Sequence, residues 1–497
     1  MSIVELYQGS HNDTAISAPS RTGITHGELR SQTHALGRQL RAADIGPDDR
    51  VALVLPNGPA MAAAFAGFSP WCATAPLNPA YKADEFDFYL ADLDARALVV
   101  ERGSGSPALD VAAARGVRIL YLEEGEAAGF VHLASVGEAP VESRGEDDIA
   151  LILHTSGTTS RPKMVPLSQE NLAASARSIA GTLRLVAQDR CLNIMPLFHI
   201  HGLMAPVLAS LSAGAEVVCT SGFDALRFFS WLAATEPTWY SAVPTMHQAI
   251  LARARRNRDA VRDSRLRFIR SSSSSLPTTV MAELESTFDA PVVEAYAMTE
   301  AAHQMCSNPL PPATRKPGSV GPAAGPEVAI LDERGATVPA GGEGEIAIRG
   351  ANVTAGYLNN PEANADAFHG DWFRTGDQGV MDTDGYVRIT GRLKEIINRG
   401  GEKVAPLEVD EALLAHDAVA QTCTFAIPHD KLGEEVAAAV VVAHGAAVTE
   451  AELKAFVSHR LADFKIPRRF AFVDEIPKGP TGKIQRIGLA KTLGLDS

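Results

Sequence analysis

The chain has 497 residues, 46% of them hydrophobic and 21% charged, more than one hydrophobic core carries, so two or more domains are expected. Its net charge of −14 excludes a nucleic-acid surface, which needs a basic stripe. The five cysteines (Cys72, Cys191, Cys219, Cys306 and Cys423) have no paired spacing, so reduced thiols in a cytoplasmic protein are expected rather than disulfides or a zinc site.

The N-terminus, MSIVELYQGSHNDT, lacks a basic start followed by a long apolar run, so no signal peptide is expected. The apolar stretch 51–75 is broken by Pro56, Asn57, Gly58 and Pro70, so no membrane span is expected either. RVALVLP (50–56) reads as a buried strand and the Ala-rich 59–67 as a helix. ARALVVE (95–101), VRILYLE (117–123) and IALILHT (149–155) read as further buried strands, and LRFIRS (266–271) and APVVEAYAMTE (290–300) repeat the pattern. Strand-like runs alternating with helix-like segments predict a doubly wound, parallel α/β body. From about residue 343 the texture changes. EGEIAIRG and GVMDTDGYVRITGR read as short antiparallel strands with a hairpin turn at Asp384-Gly385. After Arg392 a polar connection, LKEIINRGGEKVAP, leads into a last stretch of about one hundred residues, the size of a small domain. The expected division is a large domain over 1–391, a hinge at 392–394 and a small α+β domain over 395–497. There is no evident internal repeat, and the one low-complexity patch is Ser271–Ser275.

The stretch HTSGTTSRPKMVPLS (154–168) follows five apolar residues without a break. A hydroxyl- and glycine-rich turn at the end of a buried strand is suited to cradle phosphate. Backbone N–H groups and hydroxyls point at the anion, and a lysine neutralises it. It is not the common NTPase loop, because Pro162 precedes Lys163 and no second glycine stands there.

This stretch resembles the signature of the adenylate-forming superfamily, which includes acyl-CoA synthetases, nonribosomal adenylation domains and firefly-type luciferases. PLFHIHG (196–202), EAYAMTE (294–300), WFRTGD (372–377), GRLKEIINRGGEKVAP (391–406) and PKGPTGKIQR (477–486) follow in the family's order. The resemblance therefore covers nearly the whole chain, least distinctively its first hundred residues. It implies a large AMP-binding domain of doubly wound α/β subdomains with a β-barrel-like part, carrying a small mobile C-terminal domain. One departure is Met164, where the family has glycine; with Lys163 intact, altered loop flexibility is expected rather than lost activity.

The resemblance also implies the roles of individual residues. Thr155, Ser156, Gly157, Thr158, Thr159 and Lys163 would hold the β- and γ-phosphates of ATP. Glu294, Ala295 and Tyr296 would border the adenine, with the tyrosine ring stacking on it. Thr299 would bond a phosphate oxygen, and Glu300 would ligate Mg²⁺, a hard cation that takes carboxylate oxygen. Asp377 would accept the ribose hydroxyls, and Arg392 would approach the nucleotide. Lys483 would pair with the reacting carboxylate and the α-phosphate. Lys394 would be the hinge about which the small domain turns between two half-reactions. Gly400 and Gly401 would let the backbone pass close to the pantetheine arm of coenzyme A. Taken singly, most of these residues read as ordinary core aromatics, caps or solvated charges. Their shared order gives them the chemical reading.

The acid is read from three further positions. His303 lies three residues after Glu300, so a helical segment there places both on one face toward the site. Ser273 follows the strand LRFI, at the carboxyl end where ligands collect in parallel sheets. His199 and His201 flank the same cleft in family members. Imidazoles and hydroxyls suit a small polar acid, with His303 and Ser273 on its distal carboxylate and His199 near the reacting end. The wording WYSAVPTMHQ (239–248), LRFIRSSSSSL (266–276) and EAYAMTEAAHQMCSNPLP (294–311) is similar to that of the oxalate–CoA ligases. The expected activity is the joining of a small carboxylic acid, oxalate first, to CoA at the expense of ATP. The alternatives are another short-, medium-chain or aromatic acid, or a stand-alone enzyme loading a carrier protein. A nucleotide-binding regulator with a dead site does not explain Lys163, Glu300, Asp377 and Lys483 together. A luciferase-like oxygenase would want a bulky apolar pocket. Neither a nucleic-acid partner nor a membrane is expected, and monomer and dimer both stay open.

Overall fold

The apolar runs become strands because continuous Val/Ile/Leu stretches suit sheets covered on both faces. In the computed structural model, which describes residues 2–142, 144–155, 162–478 and 484–496, they build four sheets among the described residues. The first has seven strands in the order Val131–Leu133, Arg118–Glu124, Ala97–Glu101, Arg50–Val54, Ala73–Pro76, Ile149–Thr155 and Lys163–Ser168. Its five inner strands are parallel and its two edge strands antiparallel. The second has eight, in the order His303–Ser307, Val292–Met298, Phe268–Ser272, Trp239–Ala242, Arg190–Asn193, Glu216–Cys219, Thr14–Ala18 and Arg21–Thr25. It too is parallel inside and antiparallel at both edges.

Helices cover these sheets, and local sequence sets their starts. Thr25 caps His26–Ala42 by accepting the Glu28 N–H, while the Glu28 carboxylate reaches back to Thr25. Ser168 does the same for Gln169–Thr182 with Asn171. The helix Pro59–Phe68 starts on proline, and every residue after it is buried. A helix apolar all round belongs inside the core, and this one packs against His26–Ala42 and the Thr14–Ala18 strand. Met164 lies on the Lys163–Ser168 strand rather than in the loop; it is buried, pairs with His154, and packs in a core with Ala52, Val54, Ile152 and Phe86.

The change of texture near residue 343 marks a third sheet, antiparallel, of strands Glu327–Leu331, Glu343–Arg349, Phe368–His369, Trp372–Met381 and Val387–Arg392. Asp384 and Gly385 make the turn between its last two strands, with Gly385 at φ +82°. That sheet ends at Arg392. The next strand, Ile397–Arg399, belongs to a fourth sheet with Glu402–Val404, Val419–His429, Gly433–Val442 and Arg469–Phe472. Helices Pro406–Leu414 and Glu450–Ser458 pack on it over Val404, Val409, Leu413, Val436, Leu453 and Val457. Among the described residues no helix is long and apolar enough to cross a membrane.

Candidate functional site

A cavity of about 290 Å³ opens beyond the carboxyl ends of the second sheet, where the third and fourth sheets meet it. Loops at strand carboxyl ends are where ligands collect in parallel sheets. Of the residues singled out from the sequence, Ser273, Glu294, Ala295, Tyr296, Asp377 and Arg392 line it.

Glu294 and Tyr296 share one face of the Val292–Met298 strand because side chains alternate with period two. Both are buried. The Tyr296 hydroxyl donates to Asp377 Oδ2, and Arg392 Nε donates to Asp377 Oδ1 at 2.8 Å. The Asp377 backbone N–H donates to Thr375 Oγ1 at 3.1 Å. The carboxylate is thus held from two sides, and each oxygen keeps a lone pair for a further donor. Burial, then the Asp377 charge, push the Tyr296 phenol well above its usual range, so it stays protonated. Asp377 in turn raises the pKa of Arg392.

Burial pushes the Glu294 carboxyl up to about 7, although its Oε1 accepts the Leu276 N–H at 3.1 Å. The folded state therefore holds this proton over a range where the unfolded chain has lost it. Stability then falls as pH rises from the unfolded value near 4.5 to about 7, and is level above that. We expect Glu294→Gln to flatten this decline, a difference of up to about 3 kcal/mol by pH 8 at about 1.4 kcal/mol per pH unit. Urea midpoints of the ligand-free protein between pH 5 and pH 8 check it. Equal slopes for the two proteins would assign the ionised form to Glu294 throughout.

The residues expected to hold the phosphates belong to a second constellation. Ser156, Gly157, Thr158, Thr159 and Lys483 lie outside the described residues. Thr155 and Lys163 face each other across the antiparallel pair that bounds the loop. Lys163 Nζ sits 4.4 Å above the centre of the Tyr357 ring, a cation–π contact. The Tyr357 hydroxyl donates to Glu300 Oε1 at 2.9 Å. One tyrosine thus touches both the lysine expected at the phosphates and the carboxylate expected at Mg²⁺. It escaped the sequence reading because TAGYLNN (354–360) looks like an ordinary turn. Glu300 is 7% exposed, and burial raises its pKa against the lowering pull of Tyr357, Arg392 and Lys163. Thr299 and Glu300 begin a single 3₁₀ turn, Thr299–Ala301. Among the described residues no three His, Cys, Asp or Glu side chains gather as a metal cage. A lone carboxylate still fits Mg²⁺, which keeps waters and substrate phosphates as its other ligands.

The acid end corrects one expectation. Glu300 and His303 do not share a helical face. The turn ends at Ala301, and Ala302 (φ +46°) and His303 (φ +98°) reverse the chain. His303 then opens the antiparallel strand His303–Ser307 on Val292–Met298. Ladder pairing along HQMCS overrides the helical spacing. His303 is fully buried, with its ring stacked on His201 at 4.8 Å between centroids. His201 Nδ1 lies 3.1 Å from Ser273 Oγ, and its Nε2 lies 2.6 Å from Ser241 Oγ. Ser273, half-buried and at φ +74°, reaches the cavity wall. His199 Nδ1 accepts the His201 N–H at 3.2 Å. Neither His199 nor His303 lines the cavity.

Arg270 was not foreseen. It is 0% exposed, among His201, Ser241, His303 and Gln304. Its only sequence signal is a second arginine, three residues after Arg267, in the strand-like run LRFIRSS.

Lys394 is exposed in the turn after Arg392. Gly400 (φ +61°) and Gly401 (φ +97°) turn the hairpin between Ile397–Arg399 and Glu402–Val404, a backbone shape that side-chain-bearing residues rarely take. None of these three lines the cavity.

Comparison with known proteins follows the same two-part layout. Residues 6–358 match the family described as AMP-binding enzyme, and residues 408–483 match the AMP-binding enzyme C-terminal domain. An oxalate–CoA ligase of Arabidopsis thaliana is 45% identical over 95% of this chain and 94% of its own. One from Saccharomyces cerevisiae is 42% identical over 90% and 88%. The crystal structure of ATP-bound MatB from Rhodopseudomonas palustris superposes with a TM-score of 0.90 at 29% identity, covering 99% of both chains. With both of its parts matched in order and relatives aligned along nearly its whole length, the chain belongs to the AMP-binding enzyme family.

Proposed function

We propose that this enzyme is an ATP-dependent acid–CoA ligase and that its acid is oxalate. The observation that carries the reading is the polar end of the cavity. At that end Ser273, Ser274 and Ser275 line the wall, with His201 and His303 behind Ser273, a set of hydroxyls and imidazoles that suits a small polar acid. The similarity to oxalate–CoA ligases of a plant and a yeast supports the same acid.

In the first half-reaction a carboxylate oxygen of the acid attacks the α-phosphorus of ATP, and pyrophosphate leaves. In the second the CoA thiol attacks the acyl carbon, loses its proton, and AMP leaves. Tyr296 offers its ring to adenine, and Asp377, steadied by Arg392, takes the ribose. Thr155, the loop hydroxyls and Lys163 take the phosphates. Glu300, oriented by Tyr357, would hold Mg²⁺, whose charge when bound offsets that of the phosphates. Ser273 reads the far carboxylate with His303 behind it through His201, and His199 is assigned to the reacting end. The chain 392–394 is the hinge between residues 1–391 and 395–497, and the Gly400–Gly401 turn passes the pantetheine arm. The buried, unbridged cysteines suit a cytoplasmic enzyme.

The test is AMP release from a panel of acids, with and without CoA. Oxalate should lead acetate and medium-chain acids, because a site built to pair a second carboxylate leaves buried donors unpaired when that group is missing. His303→Ala should raise the KM for oxalate by about tenfold, the loss of one hydrogen bond to a charged group, with the KM for ATP nearly unchanged. Faster turnover of hexanoate or benzoate than of oxalate at equal concentration would reject the acid, though not the ligase chemistry.

A further inference from the structure

Arginine carries five donors and no acceptor, so Arg270 dictates the direction of the hydrogen bonds around it. Its Nη1 lies 3.3 Å from Ser241 Oγ and 3.1 Å from His303 Nε2, and its Nη2 donates to Gln304 Oε1 at 3.1 Å. Ser241 Oγ therefore accepts from Arg270. Ser241 is fully buried. Among the described residues the one acceptor for its own hydroxyl hydrogen is His201 Nε2, 2.6 Å away. With Nε2 accepting, the neutral His201 ring carries its proton on Nδ1 and donates it to Ser273 Oγ at 3.1 Å. The Ser273 hydroxyl hydrogen is then the one directed onward, and Ser273 is the member of this chain that lines the cavity. The same logic makes His303 accept at Nε2 and carry its proton on Nδ1.

Charge points the same way. Arg270 is wholly enclosed, and each of its hydrogen-bonded partners is a neutral side chain. Among the described residues no carboxylate is hydrogen-bonded to it. Buried charges are ordinarily paired, because an unpaired one costs several kcal/mol of desolvation. Burial pulls the guanidinium down to about 9, still protonated at neutral pH.

We propose that Arg270 is the positioning residue that makes this end of the cavity select acids with a second negative group. It orients the Ser241–His201–Ser273 relay so that a donor faces the cavity, and it leaves a buried positive charge for that group to compensate. The inference rests on the acid–CoA ligase reading above and adds to it the origin of the charge preference. Arg270 acts through its neighbours rather than on the reacting atoms.

The experiment compares ATP–pyrophosphate exchange with oxalate and with acetate in the wild type, Arg270→Met, Arg270→Lys and Ser241→Ala. In Arg270→Met the oxalate-over-acetate ratio of kcat/KM should fall by about 10- to 100-fold, mainly through the KM for oxalate, while the KM for ATP moves by less than about twofold. Arg270→Lys, which keeps the charge, should recover part of the ratio. Ser241→Ala cuts the relay at a small buried position and should lower the ratio by about 2- to 10-fold. A merely structural role would depress both acids alike. If the wild type prefers oxalate and Arg270→Met keeps both that preference and its ATP affinity, the Arg270 proposal fails and the oxalate reading stands. If Arg270→Met does not fold, an unchanged ratio in Ser241→Ala overturns the proposal. A wild type that adenylates acetate as well as oxalate overturns the acid reading and this inference with it.

Discussion

Replacing Lys483 with alanine should lower the rate of acyl-adenylate formation by about 10²–10³-fold, the usual cost of removing one preorganised contact to developing charge. CoA transfer to supplied acyl-AMP should fall far less. Negative charge builds between carboxylate and α-phosphate only in the first step, and a lysine there is useful only then. The neighbouring chain supports this assignment. Ile484 and Arg486 line the cavity, and Arg486 is tied down by Asp410 and Glu395, each at 3.0 Å. Ile484, the next residue in sequence after position 483, thus lines the same cavity as Tyr296 and Asp377. ATP–pyrophosphate exchange in the variant reads the adenylation step directly. An exchange rate equal to wild type would remove Lys483 from the chemistry.

Lys394→Pro should separate the half-reactions in the opposite sense, sparing adenylation and lowering thioester formation by about 10²-fold. Proline fixes φ near −65° and also restricts Leu393 before it. The connection is short. The Leu393 N–H donates to Gly376 O on the large-domain side, and the Glu395 N–H donates to Arg392 O. Glu395 meanwhile pairs with Arg486 of the small domain. Rotation between these two anchorages must be absorbed by the few residues between them, and Lys394, exposed, is free to turn. A misplacement of about 1 Å at a reacting centre is enough to cost about 10²-fold. Separate assays of acyl-AMP formation and of CoA transfer decide the matter. A parallel fall in both would mean a damaged fold rather than an arrested hinge.

Most of the fold was legible because it rests on local signals. Apolar runs such as IALILHT and RVALVLP cannot face water, and the texture change near residue 343 announced the antiparallel sheet that follows. The Asp384–Gly385 turn was readable from its chemistry alone. Within the site, Tyr296, Asp377, Arg392 and Glu294 were legible through motif order, and the structure gathers them around one cavity. Tyr357 was not. Its neighbours in sequence carry no chemistry, and its value lies in touching Glu300 and Lys163, residues 57 and 194 positions away.

His303 shows where local reasoning stops. Spacing of three from Glu300 fits a helix, yet the strand Val292–Met298 offers a row of backbone partners, and pairing with it outweighs one more helical turn. Arg270 shows the same limit from the other side. An arginine inside a strand reads as an anomaly until the fold surrounds it with Ser241, His201, His303 and Gln304. By itself the sequence determined the strands, the capped helices, the order of the motifs and hence the family, since these depend on side-chain polarity and spacing along one chain. Only the tertiary structure decided which hydroxyl faces the cavity, which imidazole nitrogen carries the proton and that Arg270 is buried among uncharged hydrogen-bond partners. Those properties depend on distances between residues that the chain separates by tens of positions, and no periodicity records them.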